Sequence, residues 1–404
     1  MTSSANHFER FHGHTLLKHE ILKAYLSSWA YKLLQDLTTT RVYFIDAFAG
    51  PGKDGVGNPG SPLIAAKIAC QVREHLAQKS RTAGRTMLLV AIEDTPKHFA
   101  NLKAQLAAFK KVDVELCVPL KGTLSTHIDY VVGRARTFPI LAFLDPFGLK
   151  GLDATTYPKL LHGERSELFV LLGDVGAARL HGVVTADAPN VQEQIAGITS
   201  TPFLFPEITE HKIQDAIRKA NEHAKALDVT KPACREYLTA SLGNTEWESE
   251  LAGVDPSERP VRFLRLFIKS MLRAGARYVV TIPMRDEDGA PIYTLVHASK
   301  SSSGYVAMKE AVSTGLNKGT LPAPVVDRMR EDLLVPPEHV VKQIDQQFRG
   351  RSAGWTDIVR PWVLANTAVF HFQVMQVREA LARSGRIPLG KSGKPRMPIT
   401  CDFR

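Results

Sequence analysis

Five short apolar runs, separated by stretches of helical pattern, occupy residues 41–174, and nothing else in the chain restricts the fold as much. The runs are RVYFID, TMLLVAIE, VDVELCV, FPILAFL and SELFVLL. Between them lie SPLIAAKIACQVREHLAQK, TPKHFANLKAQLAAF, TLSTHIDYVVGRAR and TTYPKLLHG, which carry helix-opening residues or apolar residues at helical spacing. In the first of these, Ser61 is expected to cap the helix, with Pro62 at its first position. Strands joined through helices are expected to pair in parallel, since an antiparallel neighbour needs only a tight turn. The cores ILAFL and LFVLL are apolar throughout rather than at alternate positions, which predicts burial on both faces. An α/β fold with a parallel sheet covered by helices follows.

The flanking text extends this plan. Residues 15–35 place leucines, Ile21, Tyr25 and Trp29 at helical spacing and predict an amphipathic helix laid against the core. After residue 174 the text turns mixed and polar, with helical pieces such as EHKIQDAIRKANEHAKAL, and reads as an insertion. VRFLRLFIKSMLRAG is then a helix, and RYVVTIPMRDEDGAPIYTLVHAS is a hairpin turning at Asp288-Gly289. A parallel sheet that finishes in a helix and an antiparallel hairpin is the Rossmann-like seven-strand sheet of class I methyltransferases. The doubly wound sheet of a dehydrogenase ends on another parallel strand. Beyond Pro322, three helical segments and a basic Gly/Pro stretch suggest a winged-helix-like unit. The expected divisions are 1–40 (N-terminal helix), 41–174 with 261–315 (core), 175–260 (mainly helical insertion) and 322–404 (winged-helix-like).

Composition excludes rather than selects. At 404 residues the chain exceeds one ordinary domain. No apolar run nears the roughly 20 residues that a membrane helix needs. The N-terminal text MTSSANHFERFHGH has no apolar signal region. The four cysteines lack paired metal-ligand spacing, and the histidines at 7, 12, 14 and 19 have no cysteine or second acid beside them, so no metal is expected. A cytoplasmic protein is the expectation. The net charge of +10 is compatible with a polyanionic partner.

In a sheet of this kind ligands bind at the carboxyl ends of the strands, and the loop after the first strand here reads DAFAGPGKDGVGNPGSP. Strand, acid, glycines and then helix form a cradle in which a ligand can lie against bare backbone. Glu93, at the end of the second strand, stands where a carboxylate would accept both hydroxyls of a ribose. The spacing separates the adenosine cofactors. Phe48 falls where the dinucleotide pattern GxGxxG has its first glycine, and the third glycine is missing, which disfavours a pyrophosphate. Lys53 is not part of a GKS or GKT phosphate loop. S-adenosylmethionine carries no phosphate but a sulfonium and an amino group, and Asp46 would offset that positive charge. The expected cofactor-binding residues are Asp46, Ala47, Phe48, Gly50, Gly52 and Glu93.

The fourth strand ends in FLDPFG. Amino-directed nucleic acid methyltransferases place an acid-Pro-Pro-aromatic tetrad here, whose side chain and backbone carbonyl accept from the target amine while the ring stacks on the base. Asp145, Pro146 and Phe147 are the expected catalytic residues, although the second proline is absent and the ring comes one place early. Lys18 is placed to line the cofactor mouth or to be an exposed helix charge, and Asp174 to reach the cleft or to cap a turn. Arg383, Arg386, Lys391, Lys394 and Arg396, around the expected wing, suit phosphate contacts.

Taken together, KHEILKAYL (18–26), YFIDAFAGPG with GSPLIA, AIED, FLDPFG and YTLVHASKSSSGYVAMKEA (293–311) resemble the three-Cys-motif partner family (TcmP) of predicted S-adenosylmethionine-dependent methyltransferases. The resemblance spans residues 15 to about 315. It implies a Rossmann-like methyltransferase fold and a partner protein bearing a three-cysteine motif, of the radical iron–sulfur kind. DAFAGPG is also similar to the DPFxGSG loop of amino-methylating DNA enzymes. The expected function is methyl transfer to nucleic acid, DNA or RNA, at an exocyclic amino group. The alternative is a non-catalytic protein that binds nucleic acid and a partner on a methyltransferase scaffold.

Overall fold

The computed structural model describes residues 11–78, 82–109, 116–185, 231–388 and 399–403. Within them, β1 (Arg41–Asp46), β2 (Thr86–Glu93), β3 (Cys117–Lys121), β4 (Ile140–Leu144), β5 (Glu167–Leu172), β6 (Tyr278–Arg285) and β7 (Pro291–Ser299) form one sheet. Its order is β3-β2-β1-β4-β5-β7-β6. The first five strands are parallel. β7 enters antiparallel between β5 and β6, so the expected methyltransferase-type sheet and its terminal hairpin are both present. β3 starts later than VDVELCV suggests: pairing runs from Cys117 opposite Leu89 to Lys121 opposite Glu93, and residues 110–115 lie outside the described residues.

Burial follows the apolar text. β2, β4 and β5 are buried at every position. That pattern requires cover on both faces, which the helices supply. They are α1 (Gly13–Gln35), α2 (Ser61–Ala77), α3 (Pro96–Leu106), α4 (Leu124–Ala135), α5 (Tyr157–Leu160), α6 (Asp174–Thr185), α7 (Lys231–Leu242), α8 (Glu246–Glu250), α9 (Arg259–Arg273) and α10 (Ser302–Leu316). α4 opens with a capping box between Thr123 and Thr126. α2 does not use the expected Ser61 cap: Gly60 holds that position, and Ser61 is the first helical residue.

α1 packs against both α2 and α10. A Cβ added at Gly315 would lie 2.6 Å from Ile21 Cγ1, so the bare glycine is what lets α10 and α1 approach. At the far end of β5 from the glycine loop, buried Glu167 accepts from Tyr25 Oη of α1 and from Ser299 Oγ at 3.1 Å, with His297 Nε2 at 2.9 Å. This polar knot ties α1, β5 and β7 together.

Beyond the sheet, α11 (Ala323–Asp332) leads into α12 (Pro337–Phe348), β8 (Ser352–Gly354), a π-turn at 355–359, α13 (Arg360–Asn366), α14 (Val374–Arg383) and β9 (Thr400–Asp402). β8 and β9 pair antiparallel. Val340, Ile344, Trp355, Val363, Val377 and Cys401 belong to a second apolar core in this unit. Lys309 of α10 is wholly buried and donates to the carbonyls of Leu364 and Thr367 at the end of α13, joining the unit to the main body. Burial lowers its ammonium to about 7. Of the expected insertion, residues 186–230, including EHKIQDAIRKANEHAKAL, lie outside the described residues, as does most of the basic stretch at 389–398. Among the described residues no helix is long and apolar enough to cross a membrane.

Candidate functional site

Parallel pairing brings the ends of β1, β2 and β4 side by side, and with them Asp46, Glu93 and Asp145. The loop after β1 is stitched to its neighbours through main-chain bonds. Ala47 N–H donates to Phe143 O at 3.0 Å and Ala49 N–H to Ile92 O at 2.9 Å. Gly50 has φ +63° and Gly52 φ +90°, values that a side chain would resist. Gly60 N–H then donates to Gly52 O at 2.8 Å, closing the turn just before α2. Buried Asp54 holds the remainder, accepting from Asn58 N–H at 2.7 Å and from Phe11 N–H at 3.0 Å. That last bond draws the start of α1 over the loop.

Asp46 is wholly buried. Its Oδ1 accepts weakly from Phe48 N–H at 3.4 Å. Its Oδ2 takes no hydrogen bond from any described residue. Burial raises the carboxyl to about 7; the Ser61 hydroxyl, the Phe48 amide and the Lys18 charge oppose the shift, and the Asp145 charge adds to it. A buried carboxylate oxygen without a donor is costly unless a ligand supplies one.

Glu93 sits at the expected strand end, but its two oxygens are already engaged. Oε2 accepts from Gly50 N–H at 2.9 Å and Oε1 from Thr95 N–H at 2.8 Å. His98 Nδ1 also stands 3.7 Å from Oε1, so the residue shapes the glycine turn and keeps a lone pair on Oε2 that can accept from a diol. Ala47 is buried and its N–H is committed to β4, which leaves its carbonyl as the group it can offer. Phe48 is half-buried against Gly151, where an added Cβ would lie 2.8 Å from the ring. It therefore clips the loop after β1 to the loop after β4.

At the end of β4, Pro146 is buried and Phe147 keeps 51% of its surface exposed. Asp145 is half-buried and its Oδ2 lies 2.5 Å from Lys18 Nζ. Lys18 is thus not an exposed helix charge: its side chain retains only 7% exposure and reaches from α1 to the end of β4. Two groups complete the surroundings. The Tyr293 hydroxyl of β7 is buried with no hydrogen-bond partner among the described residues, its proton held more tightly by burial and by the Asp145 charge. Asp174 opens α6, is buried, and accepts from Thr294 Oγ1 at 2.8 Å. Tyr293 was legible only as part of a longer motif. What places it here is the antiparallel register of β7 on β5, which no local pattern announces.

The site therefore combines buried carboxylates, one buried ammonium and a tight glycine turn. It suits a ligand that is cationic or rich in N–H and O–H donors, and it offers little to a phosphate. In the tail, Arg383 is exposed. Arg386, also expected at phosphate, is half-buried with its Nε 2.9 Å from Asp345 Oδ1, and Nη2 donates to Oδ2 at 3.2 Å. Lys391, Lys394 and Arg396 lie outside the described residues.

No family model matches the chain, and no curated protein does. Among solved structures, a conserved hypothetical protein of Streptococcus pyogenes is similar over 38% of this chain and 74% of its own, at 19% identity and a TM-score of 0.23. The cyclopropane synthase MmaA2 from Mycobacterium tuberculosis is similar over 67% of this chain and 81% of its own, at 13% identity and a TM-score of 0.21. At these TM-scores neither likeness adds to what the site's geometry supports.

Proposed function

We propose that this chain is an S-adenosylmethionine-dependent methyltransferase acting on an exocyclic amino group of a nucleic acid base. The observation that carries the reading is the buried Oδ2 of Asp46, which has no hydrogen-bond donor among the described residues, beside the bare backbone of Gly50 and Gly52. That donor set fits the cofactor: Asp46 offsets a cation, the glycines admit a ligand against the peptide, and the free lone pair on Oε2 of Glu93 accepts from a ribose diol. S-adenosylmethionine, when bound, supplies an electrophilic methyl group. The chain's own residues then orient the acceptor. Asp145 and the Pro146 carbonyl accept from the target N–H groups, which localises a lone pair otherwise spread into the ring. The exposed Phe147 ring provides a stacking surface for the base. Arg383 and the basic residues 391, 394 and 396 on a winged-helix-like unit would contact phosphates. From the family resemblance, a three-cysteine-motif partner belongs to the same proposal, and from the composition and the N-terminal text, a cytoplasmic setting.

A second reading, a non-catalytic scaffold that recruits nucleic acid and a partner, is favoured by one observation: Glu93 and Asp145 both already hold partners within the chain. Labelled-methyl incorporation into DNA, RNA and protein pools, run beside cofactor calorimetry, separates the two. Methyl transfer to one nucleic acid pool, lost in Gly52→Trp together with cofactor binding, supports the enzyme. An absence of both in the native protein leaves the scaffold standing.

The Asp46 carboxyl, near 7, adds a pH prediction. A cationic ligand prefers the ionised acid, so cofactor affinity is expected to fall about tenfold per pH unit below 7 and to level off above it. Calorimetry between pH 5 and 8 checks this, and a flat affinity across that range defeats it. The stability trend has the opposite sense. A folded-state value raised above the ordinary 3.8 contributes stability that is full below about pH 4 and is lost as pH rises through 7.

A further inference from the structure

We infer that Lys18 is a positioning residue that holds Oδ2 of Asp145 and leaves Oδ1 to accept from the target amino group. The substrate clause rests on the methyl-transfer reading; the pairing does not. Three observations lead here.

First, Lys18 has no packing reason to be a lysine. On the next turn of α1 it neighbours buried Ile21 and Leu22, and an apolar side chain at 18 would bury without the cost of desolvating an ammonium. The ammonium is kept, and it lies 2.5 Å from one carboxylate oxygen at a strand end. Second, the titratable groups facing Asp145 among the described residues are Lys18 from α1, Asp46 from β1 and Tyr293 from β7. Lys18 is the cation among them, and its pairing fixes which Asp145 oxygen is held and which is left for a ligand. Third, Oδ1 of Asp145 accepts no hydrogen bond from any described residue, and the side chain keeps 20% of its surface exposed, so this oxygen is the one a ligand can reach.

The test follows the Asp145 carboxyl carbon by NMR at one pH in the native protein, K18R and K18M, with Asp145→Asn to assign the resonance, beside kcat and KM for an oligonucleotide acceptor. The Asp145 resonance is expected to move in K18M and to stay close to its native position in K18R. In K18M kcat is expected to drop about a hundredfold with KM changed less than about threefold, and K18R is expected to recover most of the rate. Should K18M fail to fold, K18Q gives the same reading. An Asp145 resonance unchanged in the neutral variant overturns the inference. The NMR comparison needs no turnover, so a native protein that methylates nothing defeats the proposed function while the pairing is still decided.

Discussion

Asp145→Ala is expected to lower kcat for methyl transfer by about a thousandfold, roughly 4 kcal/mol of barrier, while cofactor affinity changes less than about threefold. The asymmetry follows from position. Asp145 lies at the end of β4, whereas the glycine turn and the buried Oδ2 of Asp46 belong to β1 and its loop. The substitution also strands the buried Lys18 ammonium, and breaking a buried pair costs about 3–5 kcal/mol of stability. The double variant K18M/D145A separates the two effects: it is expected to recover most of the stability and none of the rate. Single-turnover transfer of labelled methyl, beside urea melts of the same samples, gives both quantities. A rate within tenfold of the native protein in Asp145→Ala would remove this residue from the mechanism.

Glu167→Ala is expected to cost about 3–5 kcal/mol of folding free energy and to leave cofactor affinity unaltered in whatever protein remains folded. Three buried groups lose their acceptor at once: Tyr25 Oη, Ser299 Oγ and the ring nitrogen of His297. They belong to α1 and β7, so the loss loosens the N-terminal helix and the hairpin together. Space around the carboxylate is equally restricted, because a Cβ added at Gly304 would lie 2.2 Å from Glu167 Oε1. Gly304→Ala should therefore destabilise through the same network. Urea midpoints decide the matter, and a loss below about 1 kcal/mol for Glu167→Ala would mean that water replaces the missing acceptor.

Much of the candidate site was open to reading from local text. Asp46, Gly50 and Gly52 stand where strand, acid and glycines said a cradle would be, because positive φ is written into the chain as glycine. Asp145 and Phe147 follow a strand whose apolar run ends visibly. What local text did not show is the company these residues keep: the Gly50 amide on Glu93 and the Asp345 carboxylate on Arg386 lie 43 and 41 residues away. Ser61 looked like a cap because caps are read from residue type, yet the backbone starts the helix one residue earlier.

What the sequence by itself determined is the set of elements and their sheet: continuous apolar runs for buried parallel strands, a helical period between them, and a turn dipeptide for the hairpin. These depend on interactions between residues close in the chain, where side-chain period and backbone freedom suffice. Only the tertiary structure decided the charges. Lys18 meets Asp145 across 127 residues, and Glu167 meets Tyr25 across 142. Whether a buried ion has a partner depends on which strand ends and helices pack together, and Coulomb's law gives that no signature along the chain.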